Sequence, residues 1–174
     1  RRLTMALDFD GVDDKVEHTT AAIMNGLATF SVLAWINIDT WTGEPANGRI
    51  IVFAENGLDM QLNVEAANTR LRFTWNFTGG GSADGTWASP IGSLALDRWF
   101  CVAVTYDKSS TANDPLIYIW DTDVEKELSS VVVTEVATPV GTGANPATGY
   151  CVGNVTAQTI TFDGRIAYMQ VWNR

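Results

Sequence analysis

The chain has 174 residues, 46% hydrophobic and 18% charged, with 20 Asp plus Glu against 11 Lys plus Arg and a formal net charge of −9. A single domain of this length buries roughly 70% of its unfolded surface, so no disulfide framework is required, and the low charge with ordinary apolar content excludes disorder. The acidic balance argues against nucleic acid, whose binding rests on Lys and Arg neutralising phosphates, and no apolar run approaches the about 20 residues of a membrane helix.

The elements follow period-2 patterning from the start of the chain. Short strands are expected over residues 5–9 and 15–18, separated by an Asp10-Gly11 turn. Residues 20–27 could form one short helical turn. Over 30–38, Phe, Val, Ala, Ile and Ile share one face, and Ser, Leu, Trp and Asn share the other. Strands over 49–54 and 58–64 flank Asn56-Gly57, a tight hairpin signal because both residues tolerate positive φ. Residues 70–77 alternate cleanly, with Leu71, Phe73, Trp75 and Phe77 opposite Arg70, Arg72, Thr74 and Asn76, as in a strand with one buried side. Gly79-Gly80-Gly81 and Asp84-Gly85 read as loop and turn. The segment 98–106 is apolar nearly throughout, as expected of a central strand covered on both faces. Further strands are expected over 116–120, 127–133, 149–153 and 162–172. No window sustains helical periodicity over three turns. About a dozen short strands at this spacing predict an all-β, two-sheet antiparallel sandwich, a jelly roll, as one domain over 1–174.

Cys101 and Cys151 each sit in an apolar strand-like run, where buried free thiols are common, although spacing alone does not decide whether they pair. Arg1-Arg2 is followed closely by Asp8 and Asp10, so the chain contains no secretory apolar segment. His18 is the only histidine, so Ser–His, Cys–His and multi-histidine zinc chemistry would all depend on that one side chain.

Four blocks resemble laminin-G-like, concanavalin A-like lectin/glucanase jelly-roll domains. They are Ala6-Leu7-Asp8-Phe9-Asp10-Gly11-Val12-Asp13-Asp14-Lys15-Val16-Glu17, Phe30-Ser31-Val32-Leu33-Ala34-Trp35-Ile36, Asp97-Arg98-Trp99-Phe100-Cys101-Val102-Ala103-Val104-Thr105-Tyr106-Asp107, and Phe162-Asp163-Gly164-Arg165-Ile166 through Val171-Trp172-Asn173-Arg174. They occur in family order and bracket nearly the whole chain. The resemblance implies two antiparallel sheets with the first and last strands close together. It also implies non-catalytic recognition of glycans or protein surfaces, outside the cell, with calcium in many members.

If the terminal strands pair, Asp8, Asp10, Asp13, Asp14 and Asp163 come together as candidate calcium ligands, because calcium takes six to eight oxygens. The alternative is that Asp10-Gly11 and Asp163-Gly164 are turns whose carboxylates accept bonds from nearby backbone N–H groups. Family members often carry an acidic pair after the Gly-Arg-Ile segment, where this chain has Ala167 and Tyr168.

A second acidic set, Asp121, Asp123, Glu125 and Glu127, would share one face of a strand. Laminarinase-like glycosidases of this fold place catalytic carboxylates in such alternation, about 5 to 5.5 Å apart in retaining enzymes. The competing reading is an exposed hairpin turn, which cannot raise a carboxyl pKa by desolvation.

Trp41 and Trp87 fall outside the regular pattern, flanked by turn residues. With Asn47, Arg49 and Asp84 they are the candidate glycan contacts, since aromatic rings stack on the apolar faces of sugars and polar groups bond the hydroxyls. Either tryptophan could instead cover the core. Asn76-Phe77-Thr78 and Asn154-Val155-Thr156 match the glycosylation pattern, which matters only on a eukaryotic secretory route.

The leading expectation is a non-catalytic module that binds a glycan or glycosylated surface. The alternative is a structural or adhesion component with a protein partner in an extracellular assembly or virus particle, for example a capsid decoration protein. A glycoside hydrolase is the third class. The expected location is extracellular or on a particle surface, with neither nucleic acid nor membrane insertion. Oligomeric state and ligand identity are not readable from the residues.

Overall fold

The computed structural model describes residues 5–19, 26–41, 47–53, 60–79, 84–124, 129–145 and 149–173. Among them, twelve strands run in chain order: β1 (Leu7–Asp10), β2 (Val16–His18), β3 (Thr29–Ile38), β4 (Arg49–Phe53), β5 (Met60–Glu65), β6 (Arg70–Trp75), β7 (Gly85–Ala88), β8 (Trp99–Asp107), β9 (Leu116–Asp121), β10 (Thr134–Ala137), β11 (Tyr150–Val152) and β12 (Asp163–Asn173). The one helical element among the described residues is a 3₁₀ turn, Ala66–Asn68. The strands form a five-stranded sheet in the order β1-β12-β3-β8-β9 and a seven-stranded sheet in the order β10-β7-β6-β5-β4-β11-β2. All strand pairs are antiparallel, so the expected sandwich is the observed one.

Alternation decides which residues meet between the sheets. On β3, Phe30, Val32, Ala34, Ile36 and Ile38 are at most 1% exposed; on β6, Leu71, Phe73 and Trp75 are fully buried. Where the rows meet, aromatic rings pack closely: Phe30 and Trp75 have centroids 4.9 Å apart, Phe73 and Tyr106 5.4 Å, and Trp87 and Tyr106 5.1 Å. Such pairs add about 0.5–1.5 kcal/mol each beyond the area they bury.

The expected juxtaposition of the chain's two ends is present. β1 pairs with β12 in the register Leu7↔Ile166 to Asp10↔Asp163. Phe9, the buried residue of β1, packs edge-on against Phe162 at 6.4 Å. It also lies against Gly153, where an added Cβ would come within 2.1 Å of the Phe9 ring; with φ at +80°, glycine is required there on two grounds.

Three sequence expectations change. Asp84-Gly85 does not end in a loop: Gly85–Ala88 is strand β7, whose four residues are too few to show a period. Trp87 is therefore a core residue, fully buried and stacked on Phe73 at 6.0 Å, with Nε1 donating to Asp114 Oδ1 at 2.7 Å. The strand expected over 127–133 is displaced. Residues 129–133 make only a bridge from Ser130 to Tyr118, and the strand forms at β10. The segment 98–106 is β8, and its two sides differ: Phe100, Val102 and Val104 are at most 2% exposed, whereas Trp99, Ala103 and Thr105 are half-buried. The Asn56-Gly57 hairpin, Gly80 and Gly81, and most of 20–27 lie outside the described residues.

The core placement of Trp87 has a measurable consequence. Trp87→Ala should destabilise the fold by about 3–5 kcal/mol in urea denaturation, the range for deleting a buried aromatic. A loss below about 0.5 kcal/mol, usual for a surface position, would contradict its burial.

Candidate functional site

The outer side of the five-stranded sheet is unusually aromatic. Its cross-strand rows follow from the register. One row is Trp172, Ser31, Thr105 and Leu116; the next is Gln170, Leu33, Ala103 and Tyr118; the third is Ala167, Trp35, Cys101 and Trp120; and Trp99 stands beside Asn37 and Arg165 in the fourth. Trp35 and Trp120 meet edge to face at 5.5 Å, and Trp172 is 42% exposed.

Between Trp172 on β12 and Tyr118 on β9, the middle strands present the short side chains Ser31, Ala103 and Thr105. The result is a shallow depression of about 400 Å³. With strands about 4.8 Å apart, its two aromatic walls stand roughly 14 Å from each other. Ser31 Oγ lies in the floor, buried and without a hydrogen-bond partner. The sequence does not single out this face, because Trp35, Trp99, Trp120 and Trp172 all fall within expected strands. The signal was the second face of the 30–38 alternation, where Trp35 stands opposite the core row.

The five glycan-contact candidates do not form one site. Trp87 is excluded by its burial, as described above. Trp41 is half-buried and packs on the core beside Ile38, Val64 and Phe162. Arg49 and Asn47 are together, Arg49 Nη1 donating to the Asn47 carbonyl at 3.1 Å, but Arg49 is only 7% exposed. Burial, and then the neighbouring charge of Arg72, lower the Arg49 guanidinium to about 10. Asp84 lies just before β7, three strands from β4 in the same sheet.

Of the five metal candidates, Asp10, Asp13 and Asp14 come together. Their carboxylate oxygens lie within 4.8 Å of one another, and all three are exposed. Asp163 pairs with Asp10 across the strands and accepts from Thr40 Oγ1. Asp8 is outside the group, cross-strand from Arg165. Two of the carboxylates already make turn bonds: Val12 N donates to Asp10 Oδ1 at 2.8 Å, and Asp10 N to Asp14 Oδ2 at 3.1 Å. Three hard oxygen donors open to solvent suit calcium chemically, and each turn bond occupies one oxygen of its carboxylate.

The hydrolase arrangement finds little support in its described half. Asp121 Oδ2 accepts from Arg98 Nη1 at 3.1 Å, its Oδ1 accepts from Asp123 N at 2.9 Å, and Asp123 is exposed beside Arg98. These are the contacts of an ion-paired turn. Glu125 and Glu127 lie outside the described residues.

Cys101 and Cys151 are free, buried, and in different sheets. Burial pushes the Cys151 thiol up to about 11 and Cys101 in the same direction, which leaves both protonated and inert. Asn154 is fully buried; its Oδ1 accepts from Val155 N and Ile160 N, so a glycan there would have to break the fold. Among the described residues no helix is long and apolar enough to cross a membrane.

Comparison with known proteins places this geometry. No curated protein sequence matches the chain. Among solved structures, domains LG4-5 of the mouse laminin alpha1 chain superpose with a TM-score of 0.62 at 13% identity, over 95% of this chain and 40% of that one. The CBM40 module of a Ruminococcus gnavus IT-sialidase, bound to alpha2,6 sialyllactose, superposes with a TM-score of 0.59 at 16% identity, over 98% and 92%. A botulinum neurotoxin type C structure, reported with its interaction with two ganglioside molecules, gives 0.56 at 14% identity, over 92% and 36%. The chain thus spans less than half of the laminin and toxin chains it resembles, and these neighbours are mainly binding domains. At these identities the likeness concerns the fold; the family rests on the sequence profile. Residues 10–174 match the laminin G-type profile described as the concanavalin A-like lectin/glucanases superfamily, and the chain belongs to that superfamily.

Proposed function

We propose that this chain is a non-catalytic module that binds carbohydrate or a glycosylated surface through the outer face of its five-stranded sheet, outside the cell or on a particle surface. The observation that carries the reading is the depression between Trp172 and Tyr118, floored by Ser31, Ala103 and Thr105. A saccharide ring presents apolar C–H groups to an aromatic wall and hydroxyls to its edge, and this depression offers both kinds of surface. Support comes from the relatives of the same architecture, one bound to sialyllactose and one reported with gangliosides.

Calcium belongs to the proposal at Asp10, Asp13 and Asp14, where it would order the turn between β1 and β2. Asp13 is the member to change, because the two turn bonds described above use Asp10 and Asp14.

A second reading, a protein partner in a larger assembly, is favoured by an apolar cleft of about 370 Å³ at one edge of the sandwich. Leu7, Val16 and Tyr168 at its mouth are 53%, 41% and 63% exposed, and Tyr168 holds a left-handed φ of 51° where β12 bulges. Backbone strain of this kind gathers at functional positions.

A titration of intrinsic tryptophan fluorescence with oligosaccharides selected on a glycan array tests the first reading. Trp172→Ala should weaken binding by about tenfold or more, the loss of one stacking contact, while Trp41→Ala leaves it within about twofold. An array without a ligand, together with loss of assembly in Tyr168→Asp, would transfer the function to the cleft. Separately, calcium at a hundredfold excess over its Kd should add about 2.7 kcal/mol, or on the order of 5–10 °C in Tm, and Asp13→Asn should abolish the gain. Equal melting in calcium and in chelator would leave the three carboxylates as a turn.

A further inference from the structure

The outer face of the seven-stranded sheet carries a different chemistry. Arg49 on β4, Asn63 on β5 and Arg72 on β6 stand in one cross-strand row. They alternate with Leu62, Val64, Leu71 and Phe73, which fill the core from the other side of the same strands. Yet the row is not open surface: Arg49 is 7% and Asn63 2% exposed, and Arg72 is the half-buried member.

Three observations set this row apart. First, neither arginine has a carboxylate within ion-pair distance among the described residues, although Glu65, hydrogen-bonded to Arg70, also feels the charge of Arg72. The nearby acid Glu65 is taken by Arg70, and the other ion pairs join Lys15 to Glu17, Arg98 to Asp121 and Asp123, and Arg165 to Asp39. Second, Nε of Arg49, Nε of Arg72 and Nδ2 of Asn63 are buried with no hydrogen-bond partner. All three are donors. Third, the two cations are neighbours, neither of them in an ion pair among the described residues, in a chain whose net charge is −9. Burying a charge without a counter-charge is strongly unfavourable, and placing a like charge beside it adds to the cost.

One kind of occupant reverses every one of these terms. An anion supplies acceptors for donors that lack them, separates the two positive charges with a negative one, and suits the guanidinium fork, which pairs with planar and tetrahedral oxyanions through parallel N–H bonds. Arg72, half-buried, is the solvent-side member of the row. The adjacent row, Gln61, Thr74 and Thr86, is buried as well, with the two threonine hydroxyls bonded to each other at 3.3 Å.

We infer that the Arg49–Asn63–Arg72 row is an anion-binding site for the carboxylate or sulfate group of an acidic saccharide. It lies on the opposite sheet from the aromatic depression and does not depend on it; the class of the carrier, a saccharide, rests on the glycan-binding reading, whereas the anion chemistry does not.

The test uses the whole chain at constant ionic strength, with inorganic sulfate, methyl glucuronide and neutral methyl glucoside as probes, followed by thermal melting and calorimetric titration. Millimolar sulfate or glucuronide should raise Tm and glucoside should not; which of the two binds tells a sulfate site from a carboxylate site. Arg72→Gln should weaken anion binding by about tenfold or more, the loss of charge-assisted hydrogen bonds. It should also melt no lower than the parent in chloride buffer, because it removes a like charge from Arg49. Arg72→Lys, which keeps the charge and loses the fork, should fall between. Trp172→Ala should leave the anion response unchanged, so that failure of the aromatic site and failure of this one are told apart. The inference is overturned if neither anion shifts the parent's Tm, or if Arg72→Gln responds to them as the parent does.

Discussion

The inward row of β3 is the constraint on which the rest of the molecule depends. Phe30, Val32, Ala34, Ile36 and Ile38 are sealed between the sheets, and β3 is flanked by β12 on one side and β8 on the other over eight and nine register positions. Because side chains alternate strictly along a strand, a slip of one residue would bring Ser31, Leu33, Trp35 and Asn37 into the core and expel the aliphatic row. Fixing β3 therefore fixes the register of β8 and β12, and through β8 that of β9.

The same alternation that builds the core also sorts what lies on the outer side of each sheet. On the five-stranded sheet the outward positions are rich in aromatic rings separated by short side chains; on the seven-stranded sheet they carry Arg49, Arg72, Asn63, Gln61, Thr74 and Thr86. Two outer faces of different chemistry thus stand on either side of one hydrophobic layer, the second of them buried at each of these positions but Arg72. Asp10, Asp13 and Asp14 are exposed, Asp121 and Asp123 pair with Arg98, and both thiols are buried.

How much of this is legible in the residues varies with length of pattern. Residues 30–38 and 70–77 alternate over enough positions to declare a strand and its buried side, and both are strands with that side inward. β7 has four residues after a turn-forming Asp-Gly pair, so its period cannot be read, and Trp87 passed for a loop residue although it is central to the core. The acidic cluster shows the opposite case. Asp10, Asp13 and Asp14 are close in sequence and remain close in space, while Asp8, equally close in sequence, falls on the strand and outside the group. Trp41, Asn47, Arg49 and Asp84 share no such local pattern, and their dispersal follows from strand order alone.

By themselves, the residues determine an all-β sandwich and the identity of most core rows, because periodicity and short turns are local properties; the meeting of the chain's two ends is implied only by the family resemblance of the terminal blocks. Only the tertiary structure decides which outward positions become neighbours. Trp172 and Tyr118 are 54 positions apart in the chain, and Arg49 and Arg72 are 23 apart; each pair becomes one surface through the register of intervening strands. The reason is physical: cross-strand neighbours are set by hydrogen-bond register between distant segments, a long-range quantity that no window of sequence contains.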